Sequence, residues 1–166
     1  MVQMLLQIQE SQTIERKDEI NIYDLIDEVI MDLSIYIDEK HLSVSEEGDN
    51  PQIIGSDLLM YRVFYNLLEN AIKYNVDGGY INILIKENMD DVIIKIEDSG
   101  CGIESEKKKI FEAFYRERRA GNESNGVGLG LHLVKKILEL HSGRIEVKDG
   151  EKVGTQFIVT IPKNNK

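Results

Sequence analysis

Apolar positions along the chain change period several times, and each change marks an expected element. Leu25, Ile26, Val29, Ile30, Leu33 and Tyr36 (or Ile37) recur at helical spacing, with Asp24 in the position of an N-cap. Glu19 to Tyr23 alternates like an edge strand. His41 to Val44 and Ile53 to Ile54 read as short strands, split by the turn-rich GDNP at 48–51. Ser56 or Asp57 caps a second helix running to about Tyr74, whose buried face carries Val63, Leu67, Leu68, Ala71 and Ile72. Asp77-Gly78-Gly79 is a turn, and Tyr80 to Lys86 with Val92 to Glu97 alternate as a hairpin-like pair of strands.

A short helix is expected over 104–114, then a polar loop, then the glycine run GVGLGLHLV at 126–134, opening a helix to about Leu140. Arg144 to Lys148 and Thr155 to Ile161 close the chain as strands. The inventory predicts a two-layer α/β sandwich: a mixed sheet of about five strands packed on three helices. Strand-helix-strand units do not repeat through it, so a doubly wound nucleotide fold fits poorly.

Composition narrows the function classes. The 166 residues make one domain of ordinary size, with 42% hydrophobic and 30% charged residues. A formal charge of -10 argues against a nucleic-acid surface, which needs a basic face. Cys101 is the only cysteine and cannot form an internal disulfide, which fits a reducing cytosol. The start, MVQMLLQIQE, lacks a signal peptide's basic region and cleavage site. Apolar runs all fall short of the roughly 20 residues of a membrane span.

Four segments carry candidate chemistry. On the second helix Asn66 and Asn70 are four apart and share a face with Lys73, while the apolar residues between point into the core. Amide oxygens can ligate Mg²⁺ and an ammonium neutralises phosphate, but the face read alone is an ordinary solvated one. Asp98-Ser99-Gly100-Cys101-Gly102 is either a polar turn or a cavity rim whose carboxylate accepts a hydrogen bond from an exocyclic amine such as adenine's. Phe111-Glu112-Ala113-Phe114-Tyr115-Arg116 is an aromatic cluster ending in a cation. The glycine run would offer backbone N–H groups to phosphate at a helix N-terminus. It is not a dinucleotide fingerprint, because position 131 is Leu, nor a P-loop, because no Gly-Lys pair occurs in the chain.

Taken in order, these segments resemble the N, G1, F and G2 boxes of sensor histidine kinases, over roughly residues 20 to 162. Leu138 to Ile145 and Gly154-Thr155-Gln156-Phe157 look like the same family's closing segments. The resemblance implies the GHKL-type ATP-binding sandwich, shared with type II topoisomerases, mismatch-repair MutL proteins and a class of heat-shock chaperones. It implies that Asn70 ligates Mg²⁺ on the ATP phosphates with Asn66 beside it, that Lys73 contacts phosphate and that Tyr74 lines the nucleotide. Asp98 would accept the adenine amine, with Gly100, Gly102 and Ile103 shaping the base pocket and Thr155 among the nucleotide contacts. Phe111 and Phe114 would anchor a lid over about 115–125, with Arg116 a further phosphate contact. Gly126, Gly128, Leu129 and Gly130 would supply the far hinge and a phosphate-facing backbone.

Hydrolases of this fold carry a water-activating glutamate where this chain has Asn66. An amide has no basic site of useful pKa, so transfer to another side chain is favoured over hydrolysis. His41, His132 and His141 all lack the acidic neighbour of the family's phosphoacceptor motif, and each reads as a packing or helix-end histidine. The expected activity is therefore transfer of the γ-phosphoryl of Mg-ATP to a histidine on a separate dimerisation domain, with a response regulator downstream. Residues 1–18 would be the tail of a dimerisation helix plus linker and 19–166 the catalytic domain, making the chain a fragment. Nucleic acid and direct membrane contact are not expected. The location would be cytoplasmic, with room for a membrane-anchored parent. The alternatives are an anti-sigma-factor serine kinase of the same fold, a non-enzymatic ATP-dependent interaction module and, third, a simple ATPase.

Overall fold

A computed structural model describes residues 18–103, 110–112 and 130–163. In chain order the elements are β1 (Asp18–Asn21), α1 (Ile22–Asp32), α2 (Ser34–Glu39), β2 (Ser43–Gly48), β3 (Gln52–Gly55) and α3 (Asp57–Lys73). After them come β4 (Tyr80–Glu87), β5 (Asp91–Asp98), α4 (Gly130–Leu140), β6 (Arg144–Asp149) and β7 (Thr155–Pro162). Five strands form one mixed sheet in the order β2-β4-β5-β7-β6, parallel between β2 and β4 and antiparallel elsewhere. The expected sandwich of about five strands on three main helices is what forms. β1 and β3 pair separately, antiparallel, as a two-stranded ribbon.

Period-two alternation puts Ile81, Ile83 and Ile85 of β4, Val92, Ile94 and Ile96 of β5, and Phe157, Val159 and Ile161 of β7 on one buried face. Against it lie Leu25, Ile26 and Val29 of α1, Val63, Leu67, Leu68 and Ala71 of α3, and Leu133, Val134, Ile137 and Leu138 of α4. Each such Leu, Ile or Val contributes about 1.5–3 kcal/mol of apolar transfer.

Two sequence expectations are corrected at the first helix. Asn21, not Asp24, is its N-cap: the Asn21 carboxamide oxygen accepts the Asp24 N–H at 2.9 Å. Asp24 sits instead in the first turn, where its charge complements the helix dipole. The helix also stops at Leu33 (φ -97, ψ 6) and restarts as α2, so Tyr36 is 53% exposed, while the alternative, Ile37, is the one that packs against the core. The redirection keeps Leu33 buried while the apolar spacing stays helical across the break, which hides the break from a periodicity reading.

α3 begins as expected. Ser56 is its N-cap, with Oγ accepting the Leu59 N–H at 3.3 Å. The Ser56 N–H donates to Nε2 of the fully buried His141 at 3.1 Å, while the other ring nitrogen, Nδ1, donates to the Ile137 carbonyl at 2.8 Å. An Nε2 that accepts carries no proton, so this pair of contacts selects the Nδ1–H tautomer. His141 thus ties the end of α4 to the start of α3. Ser56→Ala removes the cap and is expected to lower stability by about 1 kcal/mol in chemical denaturation, without changing the slope.

Glu46 of β2 faces α1. Burial first, then the charges of Asp27 and Asp24, push its carboxyl up to about 7. A carboxyl raised in the folded state binds more protons folded than unfolded, so stability is lost as pH rises from the ordinary carboxylate range through about 7. Glu46→Gln is expected to stabilise the chain at pH 8 by on the order of 1 kcal/mol, solvent screening of this half-buried group included. The gain should vanish near pH 4 in denaturant titrations across pH.

Candidate functional site

The polar face of α3 follows from its apolar one: burying Val63, Leu67 and Ala71 turns Asn66, Asn70 and Lys73 to the other side. Asn66 is itself buried, at 6% exposure, and its Nδ2 donates to the Gly130 carbonyl at 3.5 Å. That contact brings the start of α4 to the middle of α3. Asn70 and Lys73 are half-buried, and the Lys73 ammonium lies 5.8 Å from the centre of the Tyr74 ring. Tyr74 is buried and caps the helix.

Asp98 ends β5 almost fully buried, at 3% exposure. Its Oδ1 accepts the Gly100 N–H at 2.8 Å, closing a tight turn. Gly100 is pressed against the end of α3, where a Cβ would drive into the Tyr74 carbonyl. That carbonyl accepts the Cys101 N–H at 3.3 Å. Gly102 has φ +76, a conformation that disfavours side chains, and Ile103 behind it is buried. In the sheet Glu97 pairs with Gln156, so the buried Thr155 stands beside Asp98 on the neighbouring strand. Phe111 packs edge-on against Phe157, centroids 6.4 Å apart, and its carbonyl accepts from His132 Nδ1 of α4 at 3.0 Å.

Two groups of contacts result: Asn66 meets Gly130 at the middle of α3, and Tyr74 at its C-terminal end meets Gly100 and Cys101 of the turn that follows Asp98, with Asn70 and Lys73 lying between along the helix. Phe114, Arg116, Gly126, Gly128 and Leu129 lie outside the described residues, as do most of the helix expected at 104–114 and the loop at 115–125. Helix α4 is described from Gly130 onward.

Sequence reasoning missed the groups that brace this corner. Asn75 and Ser99 are buried and joined, Ser99 Oγ donating to Asn75 Oδ1 at 2.9 Å and accepting the Tyr80 N–H at 2.7 Å. Asn75 Nδ2 donates to the Tyr80 carbonyl at 3.0 Å. Each directly follows a residue already singled out, Tyr74 or Asp98, and that adjacency was the available signal. Lys40 had none.

Among the described residues there is no cluster of three or more His, Cys, Asp or Glu that could hold a metal ion by itself. What α3 offers a hard cation is the Asn70 amide oxygen, since the nearby Lys73 ammonium has no acceptor and can only meet an anion. That donor set fits Mg²⁺, which keeps several waters and takes most of its other oxygens from a polyphosphate.

A two-layer α/β domain with glycine-bearing turns converging on the polar face of one helix is the class that fold and site define. Residues 55–165 match the family model of the histidine kinase-, DNA gyrase B- and HSP90-like ATPases. The chain belongs to that family, as an ATP-binding catalytic domain of the sensor histidine kinase type. The nucleotide-free catalytic domain of the histidine kinase ThkA superposes with a TM-score of 0.78 at 30% identity, covering 88% of this chain and 97% of that one. ThkA in complex with the response regulator protein TrrA gives 0.75 at 28% identity, over 89% of this chain and 42% of that one. Heme sensor protein HssS of Staphylococcus saprophyticus is 32% identical over 161 residues, 96% of this chain and 34% of that protein. The chain spans about a third of the length of the curated relatives it matches.

Proposed function

We propose that the chain binds Mg-ATP between the polar face of α3 and the Asp98 turn, and donates the γ-phosphoryl to a histidine on a separate dimerisation domain. The observation that supports this best is the junction itself: Asn66 reaches the Gly130 carbonyl while the Tyr74 carbonyl meets Gly100 and Cys101. Base recognition at the Asp98 turn and phosphate handling on the polar face would then both be carried by the one helix α3. Asp98 accepts the adenine amine, with Tyr74, Gly100, Gly102, Ile103 and Thr155 shaping the pocket. Asn70 would hold Mg²⁺, which supplies charge neutralisation on the phosphates when bound. Lys73 adds a positive charge to the same side, and Arg116 is read from its place in the sequence as a further phosphate contact.

In the transfer step a histidine ring nitrogen attacks the γ-phosphorus, the bond to the β–γ bridging oxygen breaks and ADP leaves. Such a step needs positioning and charge neutralisation more than a base on this domain. Asn66 suits it, because an amide cannot activate water for wasteful hydrolysis. Gly126, Gly128 and Leu129 are read from the sequence motif as phosphate contacts, and Phe114 as the lid anchor. Residues 1–18 are read as the tail of the dimerisation helix with its linker, and 19–166 as the catalytic domain.

A response regulator is the onward acceptor in this reading, supported by the complex of the similar kinase ThkA with TrrA. The domain is read as cytoplasmic, with room for a membrane-anchored parent. Among the described residues, no helix is long and apolar enough to cross one. The test is transfer of labelled γ-phosphate from ATP to an added dimerisation domain bearing the acceptor histidine. Acid-labile, base-stable label should appear on that domain only, and strong labelling of this chain alone would refute the reading.

A further inference from the structure

The C-terminal turn of α3 is closed by a side chain from a distant part of the chain. The last carbonyls of a helix lack intrahelical partners and carry partial negative charge. Helices commonly resolve this with a left-handed glycine, but α3 ends in Tyr74 at φ -99, ψ 11, followed by Asn75. Lys40, the residue after α2, supplies the closure. Its ammonium donates to the carbonyls of Ile72 at 2.9 Å, Lys73 at 2.8 Å and Asn75 at 3.2 Å. All three N–H donors are thus committed to one helix end. The backbone carbonyl of Lys40 in turn accepts the Gly78 N–H at 2.8 Å, fixing the loop that leaves α3.

The Tyr74 carbonyl, which Lys40 does not take, is the one that meets the Asp98 turn. It accepts the Cys101 N–H and stands so close to Gly100 that no side chain fits there. One residue on, Asn75 holds Ser99. The segment that follows Asp98 therefore rests on the same α3 turn that Lys40 holds. Charge-assisted bonds of this kind are about twice as strong as neutral ones, and here three share one cation.

We propose that Lys40 is a positioning residue for base recognition: it sets the height of the Tyr74–Asn75 turn, and through it the aim of the Asp98 carboxylate. This rests on the nucleotide reading above. Recognition groups must be held within about 0.5 Å of their working geometry, which a frayed helix end would not ensure. A misaimed Asp98 loses its bond to the adenine amine. Guanine presents a carbonyl at that position and has no such bond to lose. Lys40 thus acts on the preference between bases, a property that a general loss of stability does not change.

The test is calorimetric titration of the 166-residue chain with Mg-ATP and Mg-GTP, at a temperature where circular dichroism shows each variant folded. Lys40→Met is expected to weaken ATP binding about tenfold while GTP binding changes by less than about twofold, so the preference for ATP collapses. Lys40→Gln, which keeps two N–H donors without the charge, should fall between wild type and Lys40→Met, and it decides the matter if Lys40→Met does not fold. A folded variant that keeps the wild-type preference overturns the inference. If Asp98→Asn abolishes ATP binding while Lys40→Met leaves it intact, the inference falls and the nucleotide reading stands. A wild-type chain that binds neither nucleotide overturns both.

Discussion

Asp98→Asn is expected to raise the dissociation constant for ATP by about 30- to 100-fold, the equivalent of losing a charge-assisted hydrogen bond of about 2–3 kcal/mol. The reason lies in the crowding of the turn. Asp98 is buried and one carboxylate oxygen already accepts the Gly100 N–H. In the proposed complex the adenine amine needs an acceptor from the same side chain. A carboxylate can serve both donors, whereas an amide has one oxygen and one NH₂. Whichever way the substituted amide turns, either Gly100 or adenine faces a donor. The substitution is nearly isosteric, so the fold should survive. Calorimetric titration, with a melting curve as control, checks both halves of the expectation. Unchanged affinity would remove Asp98 from the site.

Asn70→Ala is expected to act on the other end of the nucleotide. Phosphotransfer to an added dimerisation domain should fall by about 100- to 1000-fold, the scale on which removing one group that stabilises developing charge is felt. The Mg²⁺-dependent gain in ATP affinity should disappear with it. Mg²⁺-free ADP should bind within about threefold of wild type, because base recognition sits at Asp98 and not at Asn70. Helix damage is not a competing explanation. Alanine favours helix more than asparagine does, and the Asn70 contact that shapes the helix end is its backbone carbonyl, which accepts the Tyr74 N–H at 3.2 Å. Equal losses with and without Mg²⁺ would show that Asn70 supports the fold of the site and not the metal.

The two variants divide a site that the sequence made partly legible, in ways that follow from the physics of each signal. α3, β4, β5 and β7 bury one face each, so apolar period and turn residues mark them from end to end. The separate pairing of β1 with β3 is a matter of long-range partners, on which period is silent. At Leu33 a single non-helical backbone step leaves the apolar spacing intact, and at Asn21 a cap lies three residues before the one that composition favoured. Ordered motifs brought Asn66, Asp98 and Gly130 together as one candidate set; in the fold Asn66 meets Gly130, and the turn after Asp98 meets the end of the same helix. The braces were harder. Lys40 looks like any surface lysine until α3 is seen to end without a glycine. His141 reads as an ordinary helix-end residue until its Nε2 is found accepting the Ser56 N–H, 85 residues earlier in the chain.

The central claim is that α3 and the Asp98 turn form one ATP site with a base end and a metal-phosphate end. Calorimetric titration of ATP into wild type, Asp98→Asn and Asn70→Ala, each with and without Mg²⁺, tests it most directly. Wild type should bind one ATP, more tightly with Mg²⁺. Asp98→Asn should bind poorly in both conditions, and Asn70→Ala should bind as wild type does without the metal and gain nothing from it. Three identical isotherms would contradict the account.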